Sequence, residues 1–152
     1  MPAGRSVLDL YPRPLRLAED HWLSFPGGSS VRLGGSEYFL DVIHGFRFIE
    51  RDSSPVAYSI ATTRYSYTVL DRHHQELLAY HYHPSGVSCR TYPHLHISGA
   101  ASPFPGKAHL TTGWVSLPAV IRMLIEDPAS PVVSLRPDWP QVLDAASGPP
   151  TS

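Results

Sequence analysis

The chain has 152 residues, 42% of them hydrophobic, and a formal net charge of -1. That is long enough for a real core and too apolar for wholesale disorder, and it gives no global basic field for holding nucleic acid. A single cysteine, Cys89, excludes an internal disulfide and fits a reducing, cytoplasmic setting.

Residues 1–20, with Pro2, Pro12 and Pro14, read as an irregular segment. No apolar h-region marks a signal peptide there, and no uncharged apolar run approaches the roughly 20 residues of a membrane span. Residues 21–146 are expected to form a single domain and residues 147–152 a disordered tail. Ser36 predicts an N-capped helix over residues 37–44, with Phe39, Leu40 and Ile43 on one face and Gly45 just past its end. Residues 45–50 alternate as a short strand. Residues 52–55 read as a turn, and residues 56–70, rich in Tyr, Thr, Val and Ile, as a strand. Residues 71–74 are a second turn. Residues 76–83 form a strand with Leu78, Tyr80 and Tyr82 on one side and Leu77, Ala79, His81 and His83 on the other. Pro84, Ser85 and Gly86 make a third turn. Residues 90–98 follow as a strand in which Leu95 and Ile97 alternate with Tyr92, His94 and His96. After a Pro/Gly loop over residues 98–106, Ser116 caps a helix with Pro118 in its first turn, Val120, Ile121, Leu124 and Ile125 as its apolar stripe, and Pro128 as its stop. A last helix over about residues 138–146 directs Trp139, Val142 and Leu143 inward. Trp22, Trp114 and Trp139 read as core anchors. The fold class is α+β: an antiparallel β-meander sheet with helices packed on one face.

Chemistry concentrates in the histidines. Eight of nine lie between His44 and His109, and four form two matched pairs, His81-Tyr82-His83 and His94-Leu95-His96. Residues two apart in a strand point to one side, so each pair aims two imidazoles at one place. If the two strands pair with Leu78, Tyr80, Tyr82, Leu95 and Ile97 on a shared core side, all four imidazoles cluster on the opposite side. A register slip of one residue would separate them.

Such a cluster supports two chemistries. As a metal site, His81, His83, His94 and His96 supply up to four nitrogen ligands for a divalent transition metal such as zinc, with His109 as a weaker fifth. Three histidines and an open position activate water. Asp71 and Glu76 are the nearest acids, and neither has an obvious ligand spacing. As a metal-free site, two of the four histidines act as acid and base on RNA, and Arg90, Arg64 or Lys107 holds the phosphate. No cofactor is then required. Tyr80, Tyr82 and Tyr92 would stack bases if exposed. His94, His96, His81, His83 and Arg90 are thus the candidate catalytic set. His21, His44, His73 and His74 read as structural, His44 as the end of a helix.

The segments Leu77-Leu78-Ala79-Tyr80-His81-Tyr82-His83-Pro84, Tyr92-Pro93-His94-Leu95-His96-Ile97, and Ala108-His109-Leu110 with Val115-Ser116-Leu117 and a helix resemble a group of small bacterial proteins. Those proteins are in turn similar to the TumE-type toxins of two-gene toxin–antitoxin systems. The resemblance covers about residues 56–126. It implies a strand-rich core, a cytoplasmic toxin acting on RNA, a helix-turn-helix antitoxin encoded nearby, and His94 and His96 as the matching signature. The chain departs from that pattern by extending well past the second His-x-His pair. It also has Thr111 and Trp114 where a Pro and then an Arg are expected. A non-catalytic partner module and a metal-dependent hydrolase are the alternatives from other functional classes.

Overall fold

Alternation of large apolar with smaller or polar residues runs through most of the chain, and alternate residues of a strand face opposite ways. The structure, a computed structural model, describes residues 19–50, 58–85, 90–99, 101 and 108–147. Its strands are β1 (His21–Ser24), β2 (Val31–Arg32), β3 (Phe39–Glu50), β4 (Tyr58–Leu70), β5 (Glu76–Tyr82), β6 (His94–Ile97) and β7 (Ala108–Thr111). They form one sheet in the order β1-β3-β4-β5-β6-β7, with β2 also on β3, and every pairing is antiparallel. Two helices follow, α1 (Leu117–Glu126) and α2 (Trp139–Ser147). This is the expected α+β meander. Among the described residues no helix is long and apolar enough to cross a membrane.

The core lies between one sheet face and α1. Leu40, Val42, Tyr65, Tyr67 and Val69 are buried against Val120 and Leu124, with Val132 closing the end. Register explains the continuity. Leu40 lies opposite Val69 and Val42 opposite Tyr67, while Tyr67 and Val69 lie opposite Tyr80 and Leu78. Leu95 and Ile97 extend the row beside Tyr80 and Leu78. Each large apolar side chain buried this way contributes about 1.5–3 kcal/mol. The Tyr65 and Tyr67 rings stack with centroids 4.9 Å apart. The Tyr65 hydroxyl holds the entry to α1, accepting from Val115 N–H at 3.3 Å. Ser116 caps α1 as expected, accepting from Ala119 N at 3.3 Å, and the helix stops at Asp127, ahead of Pro128. Ile121 and Ile125 join Val120 and Leu124 against the core.

The expected helix over residues 37–44 is instead the first part of β3. Burial there has period two: Leu40 and Val42 are buried, whereas Ile43 faces solvent. Pairing with β4 along the whole strand outweighs a local helical spacing built on Phe39, Leu40 and Ile43, and Val and Ile favour the strand. Ser36 caps no helix. Its Oγ donates to Leu33 O and accepts from Tyr38 N, tying the turn in which Gly35 takes φ 69°. Gly45 is no helix terminus either, but a β-bulge position inside β3. Strands β1, β2 and β7 were not expected from the sequence. The strand expected over residues 90–98 is shorter, His94–Ile97. Trp114 is 63% exposed and packs on Tyr82 at 4.4 Å, and Trp22 is also exposed, so neither is a core anchor. Trp139 is half-buried beneath the Arg122 guanidinium. Val142 faces solvent, and Leu143 is the residue of α2 that is buried. The expected turn at residues 52–55, residues 1–18 and residues 148–152 lie outside the described residues.

His44, in the middle of β3, faces the core side rather than ending a helix. Its Nδ1 is 2.6 Å from the Tyr67 hydroxyl, its Nε2 is 3.3 Å from Thr62 Oγ1, and Phe46 lies alongside. Burial pushes the Tyr67 phenol well above its ordinary range, so it stays neutral and shares a hydrogen bond with His44 Nδ1. Burial also holds the His44 imidazole below its ordinary 6.5. The unfolded chain therefore binds a proton here at a pH where the folded chain does not. The stability tied to a neutral His44 is present above pH 6.5 and is lost as pH falls through the folded value. In urea unfolding, wild type should lose more stability than a His44→Gln variant as pH drops from 7 into that window. Parallel pH profiles would refute this.

Candidate functional site

The second sheet face carries the histidines. On β4, Arg64, Ser66 and Thr68 point away from the tyrosine face, because Tyr65, Tyr67 and Val69 take the core side. Ser66 lies opposite His81, His81 opposite His94, and His94 opposite Thr111. The neighbouring row runs Thr68, Ala79, His96, His109. The register thus brings together both His-x-His pairs and adds His109 from β7. Ring centroids are 4.2 Å apart for His81–His96, 4.8 Å for His94–His96, 5.3 Å for His81–His83 and 4.2 Å for His96–His109. Ala79 is fully buried in the second row, and its small side chain leaves room for the His81 and His96 rings to meet above it.

The inner pair is the most constrained. His94 is 3% exposed and His96 is 9% exposed. Their Nε2 atoms stand 3.0 Å apart. His94 Nδ1 is 2.8 Å from the Tyr92 carbonyl, which only accepts, so Nδ1 carries the hydrogen and the Nε2 of a neutral ring is a bare lone pair. His96 Nδ1 faces a Glu76 carboxylate oxygen at 3.8 Å. At that distance the contact is an ion pair and not a hydrogen bond, so a hydrogen on His96 Nε2 makes an N–H···N bond to the His94 lone pair. A cation placed between the two Nε2 atoms would take the position of that proton. Tetrahedral zinc, with nitrogens at about 2.0–2.1 Å, separates its ligands by about 3.3 Å. The available ligand atoms of His81, His94 and His96 all lie within 4.8 Å of one another.

Glu76 reaches the site through a second bulge. The β4–β5 register shifts between Val69 and Leu70, so that Leu70 pairs with Glu76. Leu77 then packs against the core beside Leu78, rather than sharing the histidine face as the alternation predicts. A bulge re-aims side chains in this way. The sequence signal is two successive leucines after an acid in a strand that otherwise alternates. Asp71, the other nearby acid, is spent on the turn, where it accepts from the backbone N–H groups of His73 and Gln75. These bonds hold its carboxyl below the usual range.

His83 and Arg64 flank the triad. Burial lowers the His83 imidazole, and the Arg64 guanidinium and His94 push it further down. Arg90 lies ahead of β6, partly buried, with one guanidinium nitrogen out of solvent. Lys107 lies outside the described residues. Tyr80 and Tyr82 are on the core face, packed against the cluster beneath α1, and do not join the histidines. Tyr92 does, 44% exposed with its ring 5.9 Å from His94. His73 and His74 sit in the β4–β5 turn, His74 at φ 57° and against Phe39, and His21 packs on Phe46 and Phe48.

No protein-family model matches this chain, and neither a curated protein nor a solved structure does.

The close approach of His81 to His96 depends on the small residue between the rows. Ala79→Leu should overpack the face, cost about 1–3 kcal/mol in urea unfolding and drive the rings apart. An unchanged midpoint would show that Ala79 is not the spacer.

Proposed function

We propose that His81, His94 and His96 hold a divalent transition metal, zinc by preference, and that the protein is a metal-dependent hydrolase. One observation carries this: the His94 and His96 Nε2 atoms meet at 3.0 Å, and an available ligand nitrogen of His81 lies within 4.8 Å of the available nitrogens of that pair. The Tyr92 carbonyl on His94 Nδ1 is a usual support of metal-bound histidine, fixing its tautomer, and Glu76 adds a carboxylate 3.8 Å from His96 Nδ1. Three nitrogen ligands leave a position for water, whose pKa on zinc falls to about 7. A metal held there would supply an activated water for ester hydrolysis, and His109, exposed on β7 beside His96, would pass the proton from that water to the leaving oxygen.

Metal-free catalysis on RNA, by two of the four histidines, would fall to the half-buried His81 and His83, because His94 and His96 are buried. RNA is still within reach of the metal chemistry. Tyr92, exposed beside His94, offers a stacking surface for a base, and this observation favours the toxin-like activity that the resemblance implies.

Untagged protein should carry about one metal per chain by elemental mass spectrometry, and His94→Ala/His96→Ala should carry none while keeping its circular dichroism. Glu76→Gln should bind metal about 10–100-fold more weakly. Chelation should abolish hydrolysis of an activated ester, and zinc should restore it. Metal-free protein that takes up no zinc on titration would overturn the proposal.

A further inference from the structure

Arg64 differs from Arg47 and Arg72, which have carboxylate partners, and from Arg32, which donates to the Ser36 carbonyl. Arg47 pairs with Asp20, and Arg72 faces Glu37. Arg64 has no carboxylate within ion-pair range among the described residues. It is nevertheless held. Its guanidinium carbon lies 4.5 Å from the Trp22 ring centroid, a cation–π contact. Its stem crosses Gly45, which is its partner across the β3–β4 ladder. A Cβ on Gly45 would come within 2.9 Å of Arg64 Cγ, 2.9 Å of Thr63 Oγ1 and 3.2 Å of the Trp22 ring. Glycine is therefore the residue that lets the arginine lie against the tryptophan. The Thr63 hydroxyl is buried in that corner without a hydrogen-bond partner.

The position relative to the histidines is set by the ladder. Arg64 is one row along β4 from Ser66, and Ser66 is opposite His81. With about 3.4 Å per residue and about 4.8 Å between strands, the Arg64 and His81 backbones are about 8 Å apart. The residue of β4 between Arg64 and the His81 row is Ser66, whose hydroxyl keeps that part of the floor polar. A held guanidinium on the histidine face, with no carboxylate partner among the described residues, is a recognition element for an oxyanion. Guanidinium matches a phosphoryl group through two parallel N–H bonds.

We propose that Arg64, seated on Trp22 over Gly45, is the anion subsite of the histidine face, and that the substrate bears a phosphoryl group. This rests on the metal reading for the chemistry, but not for the binding itself. The test is calorimetric titration of inorganic phosphate, with acetate as control, into zinc-loaded and metal-free full-length protein, and into Arg64→Gln and Arg64→Lys variants whose unfolding midpoints and zinc stoichiometry are measured in parallel. Phosphate should bind and acetate should not. Arg64→Gln should weaken phosphate about 10–100-fold with zinc content unchanged, and Arg64→Lys should fall between. Phosphate binding to metal-free protein that Arg64→Gln removes, beside no zinc uptake at all, would keep the subsite and overturn the metal centre. Equal phosphate affinity in wild type and Arg64→Gln, or acetate binding as tightly as phosphate, would overturn the subsite and leave the metal centre standing.

Discussion

The pairing of His81 with His94 across β5 and β6 is the constraint on which the site depends. Side-chain direction in a strand has period two, so this one register fixes every other residue of the two strands. It puts Tyr80, Tyr82 and Leu95 on the core side and both His-x-His pairs on the other. Slipped by one residue, it would split the two pairs between faces. Leu78 and Tyr80, packed against the core, hold β5 in place against that slip.

The two faces then solve different problems. On the core side, the tyrosine hydroxyls find partners: Tyr65 accepts from Val115 N–H, Tyr67 meets His44, and Tyr80 meets Met123. On the far face, imidazoles are buried in a cluster, which is costly unless they are hydrogen-bonded or coordinate a cation. The Tyr92 carbonyl fixes the hydrogen of His94 on Nδ1 and so turns its Nε2 lone pair toward His96. The cationic end of the face, Arg64 on Trp22, lies away from that pair. In the proposed reading, a metal and the arginine would grip opposite ends of one group and so fix an ester for attack by water.

Much of this was legible in the residues. Strict alternation in YHYH and HLHI made the shared face of four histidines predictable, and the Ser116–Pro118 and Pro128 signals bounded α1. Long-range pairing produced the errors. The segment around residues 37–44 carries both a helical and an extended pattern, and only its twelve-residue partnership with β4 selects the strand. Bulges were the other blind spot. A bulge changes the parity of a strand, and the one before Leu78 is what places Glu76 beside His96 and turns Leu77 inward. His109 was weak by spacing because it is adjacent through the β6–β7 ladder, and β7 has only four residues to announce itself. Trp114 shows the limit of hydrophobicity as a guide: a large ring can cover Tyr82 and remain mostly in solvent.

The most direct measurement is zinc-edge X-ray absorption on untagged protein loaded with one equivalent of zinc. A shell of about three imidazole nitrogens and one lighter ligand at about 2.0–2.1 Å would place the metal on the clustered imidazoles. A spectrum of fully hydrated zinc, six oxygens with no imidazole scattering, would contradict the central claim that this face is a metal centre.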